Sequence, residues 1–149
     1  MLSYRAARTE DYDGFLDILH DQAAGYLEPT LRLMQMTWQE FAHQFRTVGQ
    51  VYGIYRDGQL AGFYWIEERG DILHLHGLIL KSEFQGQGIG TQVLTRLSTK
   101  YKERFTAIEL GVHKSNVRAI ALYERMGYET VKSLEDLGFF VMQKRLRKG

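Results

Sequence analysis

The stretch Phe84-Gln85-Gly86-Gln87-Gly88-Ile89-Gly90-Thr91 decides how this chain is read. It follows an apolar, strand-like run, Ile72 to Leu80, and opens a segment whose apolar residues Ile89, Val93, Leu97 and Tyr101 recur at helical spacing. Glycines at alternate positions let main-chain N–H groups approach a ligand with no Cβ in the way. They also permit the positive φ angles that turn successive amides into one concavity. A helix starting at about Gly88 adds its unpaired first-turn N–H groups and the positive end of its dipole, a combination that favours a pyrophosphate or other anion.

Two familiar phosphate-binding patterns do not fit. A dinucleotide fingerprint, Gly-x-Gly-x-x-Gly, needs glycine where this chain has Thr91 counting from Gly86, or Val93 counting from Gly88. A P-loop needs Gly-Lys-Ser/Thr, which occurs nowhere in the sequence. The glycines read instead as Gln-x-x-Gly-x-Gly, from Gln85 through Gly88 to Gly90. About 25 residues on lies Asn116-Val117-Arg118-Ala119-Ile120-Ala121-Leu122-Tyr123-Glu124-Arg125-Met126-Gly127-Tyr128. Ser115 or Asn116 suits a helix cap, Ala119, Leu122, Tyr123 and Met126 form one apolar stripe, and Gly127 suits a helix stop.

These two segments, in this order, resemble the signatures Arg/Gln-x-x-Gly-x-Gly/Ala and Asn-x-x-Ala-x-x-x-Tyr-x-x-x-Gly-Phe/Tyr of the GCN5-related N-acetyltransferases, the GNAT family. The resemblance implies an acetyl-CoA co-substrate, an amine acceptor and direct transfer in a ternary complex. By the same resemblance Leu78, Ile79 and Leu80 offer main chain to the pantetheine arm. Gln85, Gly86, Gln87, Gly88, Ile89, Gly90 and Thr91 surround the pyrophosphate, and Asn116 bonds the cofactor near pantetheine. Gln85 stands where the family often has arginine, one charge fewer at the phosphates. Tyr123 matches the tyrosine that commonly protonates the departing thiolate. A catalytically silent acyl-CoA-binding module is the alternative, and a nucleotide-binding oxidoreductase is disfavoured by the missing third fingerprint glycine.

The general base has no fixed motif. The candidates are Glu67 and Glu68 at the end of one strand and His74 and His76 on one face of the next. Two histidines at i, i+2 with no evident third ligand make a weak metal site, so no metal is expected. With no cysteine there is no thiolate metal site, no disulfide and no cysteine nucleophile, and no Gly-x-Ser-x-Gly elbow occurs.

Composition sets the outer bounds. At 149 residues the chain is long enough for one substantial core, read as a single domain over 1–149. No run approaches the roughly 18 apolar residues of a membrane span, and no basic-then-apolar leader is present, so a cytoplasmic protein is expected. A net charge of +1 gives no case for nucleic acid, and the basic run Lys144, Arg145, Arg147, Lys148 reads as a solvated tail. A homodimer is admissible, because homodimers are common in the family.

Periodicity predicts an α/β chain with a mixed six- to seven-stranded sheet and about four helices. The expected order is a strand at Leu2 to Ala7, helices at Asp11 to Ala24 and Leu31 to Arg46 parted by Pro29, and a hairpin of Val51 to Tyr55 and Leu60 to Glu67 about Asp57-Gly58. The strand Ile72 to Leu80, the helix after the glycines, a strand Thr106 to Val112, the Asn116 helix and a closing pair, Tyr128 to Leu134 and Phe139 to Leu146, complete it. That order matches the GNAT topology. In the family, acceptor choice comes largely from the segments matching Asp21 to Gln50 and Glu135 to Gly138; Tyr26, Glu28, Trp38, Tyr64 and Trp65 are the candidates to line such a pocket.

Overall fold

The computed structural model describes residues 1–147, so Lys148 of the basic run lies outside the described residues. The elements are β1 (Leu2–Ala6), α1 (Tyr12–Leu33), α2 (Trp38–Thr47), β2 (Gln50–Arg56), β3 (Gln59–Arg69), β4 (Ile72–Leu80), α3 (Ile89–Tyr101), β5 (Ala107–His113), α4 (Val117–Arg125), β6 (Glu129–Leu134) and β7 (Phe139–Arg145). Among the described residues the strands form a seven-stranded mixed sheet, hydrogen-bonded in the order β1-β2-β3-β4-β5-β7-β6. The contacts fall into two compact units, residues Met1–Ile66 with Gly77–Gln87, and Glu67–His76 with the described chain from Gly88 on.

In the first unit β1 runs antiparallel to β2, from Leu2↔Arg56 to Ala6↔Tyr52, and β2 runs antiparallel to β3. The turn between β2 and β3 has both central residues in the left-handed region, Asp57 at φ 50° and Gly58 at φ 83°. Its twist matches that of the strands, and Asp-Gly tolerates both angles. Phe15, Leu16, Ile18, Phe45, Val51, Phe63 and Trp65 make a buried cluster, and the Trp65 indole donates to the Val48 carbonyl at 2.7 Å.

The first helix departs from the sequence expectation. Pro29 does not separate two helices; α1 continues through it to Leu33, and the break falls at 34–37. An interior proline removes one main-chain bond and costs about 3 kcal/mol. Leu27 and Leu31, on either side of Pro29, are buried with Ala23. Burial of each leucine contributes about 1.5–3 kcal/mol, enough to hold the helix together across the proline. The chain then turns at Gln35, φ 55°, and restarts at a capping box. The Thr37 hydroxyl accepts from the Glu40 N–H at 3.1 Å, and the Glu40 carboxylate accepts from the Thr37 N–H at 2.9 Å. Thr37→Ala is expected to lower Tm by a few degrees, a cap being worth about 1 kcal/mol. An unchanged melting curve would show that tertiary packing alone fixes the start of α2.

In the second unit β5 is central. It runs parallel to β4 from Ile72↔Ala107 to Leu75↔Leu110, and antiparallel to β7 from Ala107↔Arg145 to His113↔Phe139; β7 pairs with β6. Strand alternation sends Leu73, Leu75, Ile108 and Leu110 into the core, all at 1% exposure or less. The other face carries His74, His76 and Glu109. Helix α3 buries Ile89, Val93, Leu94, Leu97 and Tyr101, the stripe expected from its spacing plus Leu94.

Candidate active site

Two of the three glycines in the loop are there for backbone angle and one for space. Gly86 and Gly88 have φ of 76° and 79°, whereas Gly90 lies inside the first turn of α3 and is not left-handed. A Cβ on Gly88 would meet nothing within 4 Å, so its requirement is conformational. A Cβ on Gly90 would come within 2.9 Å of Leu122 Cδ2, so Gly90 lets α3 approach α4 closely. The positive φ angles expected of these glycines occur at Gly86 and Gly88 and not at Gly90.

Because its N-cap is Gly88, α3 begins without a side-chain cap. Its first-turn donors, the N–H groups of Ile89, Gly90 and Thr91, lie ahead of the first helical bond, from Gln92 N–H to Gly88 C=O at 3.1 Å. A helix start that has no side-chain acceptor and keeps its dipole end open is an anion site in waiting.

The first unit supplies the run up to that helix. Gln85, expected at the phosphates, is used as a brace: its Nε2 donates to the Leu80 carbonyl at 3.0 Å and to Gln22 Oε1 at 2.8 Å. Gln22 in turn donates to the Ser82 hydroxyl at 2.8 Å. Gln87 is held from both ends, its Nε2 donating to the Glu83 carbonyl and its Oε1 accepting from Arg56 at 2.8 Å. Arg56 therefore brings a cation to the loop that lacks the usual arginine. Gln22 and Arg56 were not singled out from the sequence, since nothing local marks residues that reach a loop from α1 and from a distant hairpin.

At the end of β4, a Cβ on Gly62 of β3 would sit 2.1 Å from the Ile79 carbonyl oxygen, so only glycine permits that approach. The Lys81 N–H donates to Ala61 O at 2.8 Å. The ladder with β5 pairs Ile72 to Leu75 of β4 with Ala107 to Leu110.

Helix α4 places the other two motif residues. Asn116 is the N-cap, its Oδ1 accepting from the Ala119 N–H at 3.2 Å. Tyr123 is buried, with its ring 5.7 Å from that of Tyr128. Burial, and then the neighbouring Tyr123, push the Tyr128 hydroxyl well above the usual phenol range.

The base candidates come together in one network on a single face. His76 Nε2 lies 2.8 Å from Glu67 Oε1, which also accepts from Arg69 Nε at 3.0 Å. His74 Nδ1 lies 3.2 Å from Glu109 Oε1, and Gln143 donates to Glu109 Oε2 at 2.9 Å. The two imidazoles meet edge to face at 4.5 Å. Glu68 stands apart, exposed and paired with Arg104 at 2.8 Å, the solvated strand-end arrangement. Glu109 was missed from sequence, although a carboxylate inside an apolar strand is itself a signal that something pairs with it.

These contacts set the charge states. The bond from His76, with Arg69 adding to it, holds the Glu67 carboxyl below the ordinary carboxylate value. Burial lowers the His76 imidazole despite Glu67. Burial, then the neighbouring His76 and Arg69, lower His74 from 6.5 to about 4 despite Glu109. Between those values the unfolded chain binds a proton at His74 that the folded protein does not. Its stabilising contribution is therefore complete above pH 6.5 and is lost as pH falls toward 4. Tm is expected to drop between pH 7 and pH 5, and His74→Gln should flatten that slope. A slope unchanged in His74→Gln would mean that the depressed group lies elsewhere.

Among the described residues no group of three or more His, Asp and Glu side chains is arranged to hold a metal ion, and no helix is long and apolar enough to cross a membrane.

The comparisons with known proteins bear on this arrangement. A spermine/spermidine N(1)-acetyltransferase of Bacillus subtilis (strain 168) is 24% identical over 156 residues, covering 97% of this chain and 99% of that protein. The PaiA N-acetyltransferase of Thermoplasma acidophilum, solved with coenzyme A, superposes with a TM-score of 0.75 at 19% identity over 97% of this chain and 99% of that one. A GNAT family acetyltransferase from Elizabethkingia anophelis with acetyl-CoA bound gives 0.72 at 16% identity, over 97% of each chain. The model of the acetyltransferase (GNAT) family matches residues 12–128, a span that takes in the glycine loop, His74, His76 and their two glutamates, and the Asn116 and Tyr123 positions, and the chain belongs to that family of N-acetyltransferases.

Proposed function

We propose that this protein moves an acetyl group from acetyl-CoA to the amine of a small molecule or peptide, by direct attack within a ternary complex. The observation that carries the reading is the start of α3, where a left-handed Gly88 leaves the first-turn N–H groups without a side-chain acceptor. That donor set suits a pyrophosphate. The main chain of Gly86 to Thr91 holds it, with Gln85 as the brace of the loop and Arg56 as the nearby cation. The amides of pantetheine pair with the main chain of Leu78, Ile79 and Leu80 at the end of β4. Asn116 keeps its side-chain N–H₂ for the same arm while its oxygen caps α4.

An alkyl amine with a pKa near 10.4 is protonated at neutral pH and must lose a proton before it attacks. His76 is the proton acceptor in this account. With Nε2–H donated to Glu67, the lone pair lies on Nδ1, and the Glu67 carboxylate stabilises the imidazolium that forms. His74, held neutral, fixes the His76 ring edge to face. The oxyanion of the tetrahedral intermediate is stabilised by a main-chain N–H near Leu80, and Tyr123 protonates the leaving thiolate. With no cysteine in the chain, direct transfer is preferred to a cysteine acyl-enzyme. The Bacillus subtilis relative is named for polyamine acceptors, which belong to the same chemical class of amine.

The pH profile tests the base. Removing the carboxylate in Glu67→Gln weakens the support of the His76 imidazolium, so the acid limb of kcat/KM is expected to move to lower pH while the plateau falls at least about 10-fold. An acid limb that keeps its position in Glu67→Gln would remove the pair from the mechanism.

A further inference from the structure

The first unit contains an open groove of about 510 Å³ that neither the glycine loop nor the histidine network uses. It is lined by His20, Glu28, Leu31 and Arg32 of α1 together with Met36 and Trp38. The volume lies in the range of small-molecule sites. Its apolar part is well founded: Leu31 is 6% exposed and belongs to the Ala23–Leu27–Leu31 cluster, against which Met36 and Trp38 pack. The Trp38 ring is held by His20 edge to face at 5.9 Å and by Phe41 at 5.8 Å.

The charges are the unusual part. Glu28 and Arg32 stand one helical turn apart, in the order that favours an ion pair along a helix, with Cβ atoms about 5–6 Å apart. Among the described residues neither enters an ion pair; both line the groove instead. A carboxylate and a guanidinium at this spacing, beside an apolar wall, complement a ligand that carries both charges close together and an apolar group as well. A polycation would meet Arg32, and a polyanion would meet Glu28, so each is selected against by one of the two. We propose that this groove binds a free α-amino acid with an apolar side chain, its ammonium on Glu28, its carboxylate on the Arg32 fork and its side chain on Leu31, Met36 and Trp38. The proposal does not rest on the acetyl-transfer reading, since it concerns binding alone.

Calorimetric titration of the whole protein with L-leucine tests it, alongside leucinamide, which lacks the carboxylate, 4-methylpentanoate, which lacks the ammonium, and spermidine. L-Leucine is expected to bind at one site, at least about 10-fold tighter than either analogue, because each analogue forfeits one charge-assisted contact. Glu28→Gln should weaken leucine and leucinamide but not 4-methylpentanoate, and Arg32→Gln should weaken leucine and 4-methylpentanoate but not leucinamide. Both positions are exposed, so the variants should fold, as an unchanged Tm would verify. No saturable binding at millimolar leucine, equal binding of leucine and its analogues, tighter binding of spermidine, or leucine binding indifferent to both substitutions would each overturn the proposal.

Discussion

Gly88→Asp is expected to abolish acetyl-CoA binding while leaving the protein folded. The position is left-handed, which costs most side chains about 1–2 kcal/mol, but aspartate is among the residues that tolerate it. A Cβ there meets no neighbour within 4 Å. At the N-cap of α3 the new carboxylate would accept from the first-turn N–H groups and sit at the positive end of the dipole, both favourable to the helix. The donors that the pyrophosphate needs would then be taken by a side chain of the same charge. Loss of two charge-assisted bonds at about 1.5–3 kcal/mol each corresponds to a 10²–10⁴-fold weaker complex, before repulsion is counted. Calorimetry with acetyl-CoA, run beside a melting curve, separates the two effects. Wild-type affinity in a folded variant would sink the assignment of the loop to phosphate.

Tyr123→Phe should have the opposite signature, a large loss of turnover with acetyl-CoA affinity nearly intact. The substitution keeps the ring that packs on Tyr128 and removes only the hydroxyl. If that hydroxyl protonates the leaving thiolate, kcat falls by about 10²–10⁴-fold, the usual contribution of a positioned general acid. Steady-state kinetics at saturating acceptor would measure it. A kcat within a factor of a few of wild type would return Tyr123 to an ordinary core position on the α4 stripe.

The parts of the fold that could be read from sequence are those where hydrophobic period changes abruptly. Ile72 to Leu80 switches to the helical spacing of Ile89, Val93, Leu97 and Tyr101 across a run of glycines, and the structure keeps both elements at those bounds. Pro29 misled because a local rule was overridden by tertiary burial of Leu27 and Leu31, and the Thr37–Glu40 capping box, three residues apart in plain view, was the better boundary signal. Chemistry that depends on partners distant in sequence was less legible. His74 and His76 stand out as a pair, but their carboxylates differ: Glu109 lies opposite His74 in the β4–β5 register, and Glu67 reaches His76 from the end of β3. Gln85 fits the phosphate motif, yet its amide is taken up by Leu80 and Gln22, a division of labour that no spacing rule reveals. The groove was not legible at all as a site, because Glu28, Arg32 and Trp38 acquire meaning only from the lining they share.

The most direct test of the central claim is release of free CoA thiol from acetyl-CoA in the presence of a panel of amines, including polyamines, amino acids, peptides with free N-termini and aminoglycosides. The chain contains no cysteine, so a thiol reagent meets no background from the protein. Acetyl transfer predicts release that depends on one class of amine and is lost in Gly88→Asp. Absence of amine-dependent release across the panel, from protein that still binds acetyl-CoA, would contradict it.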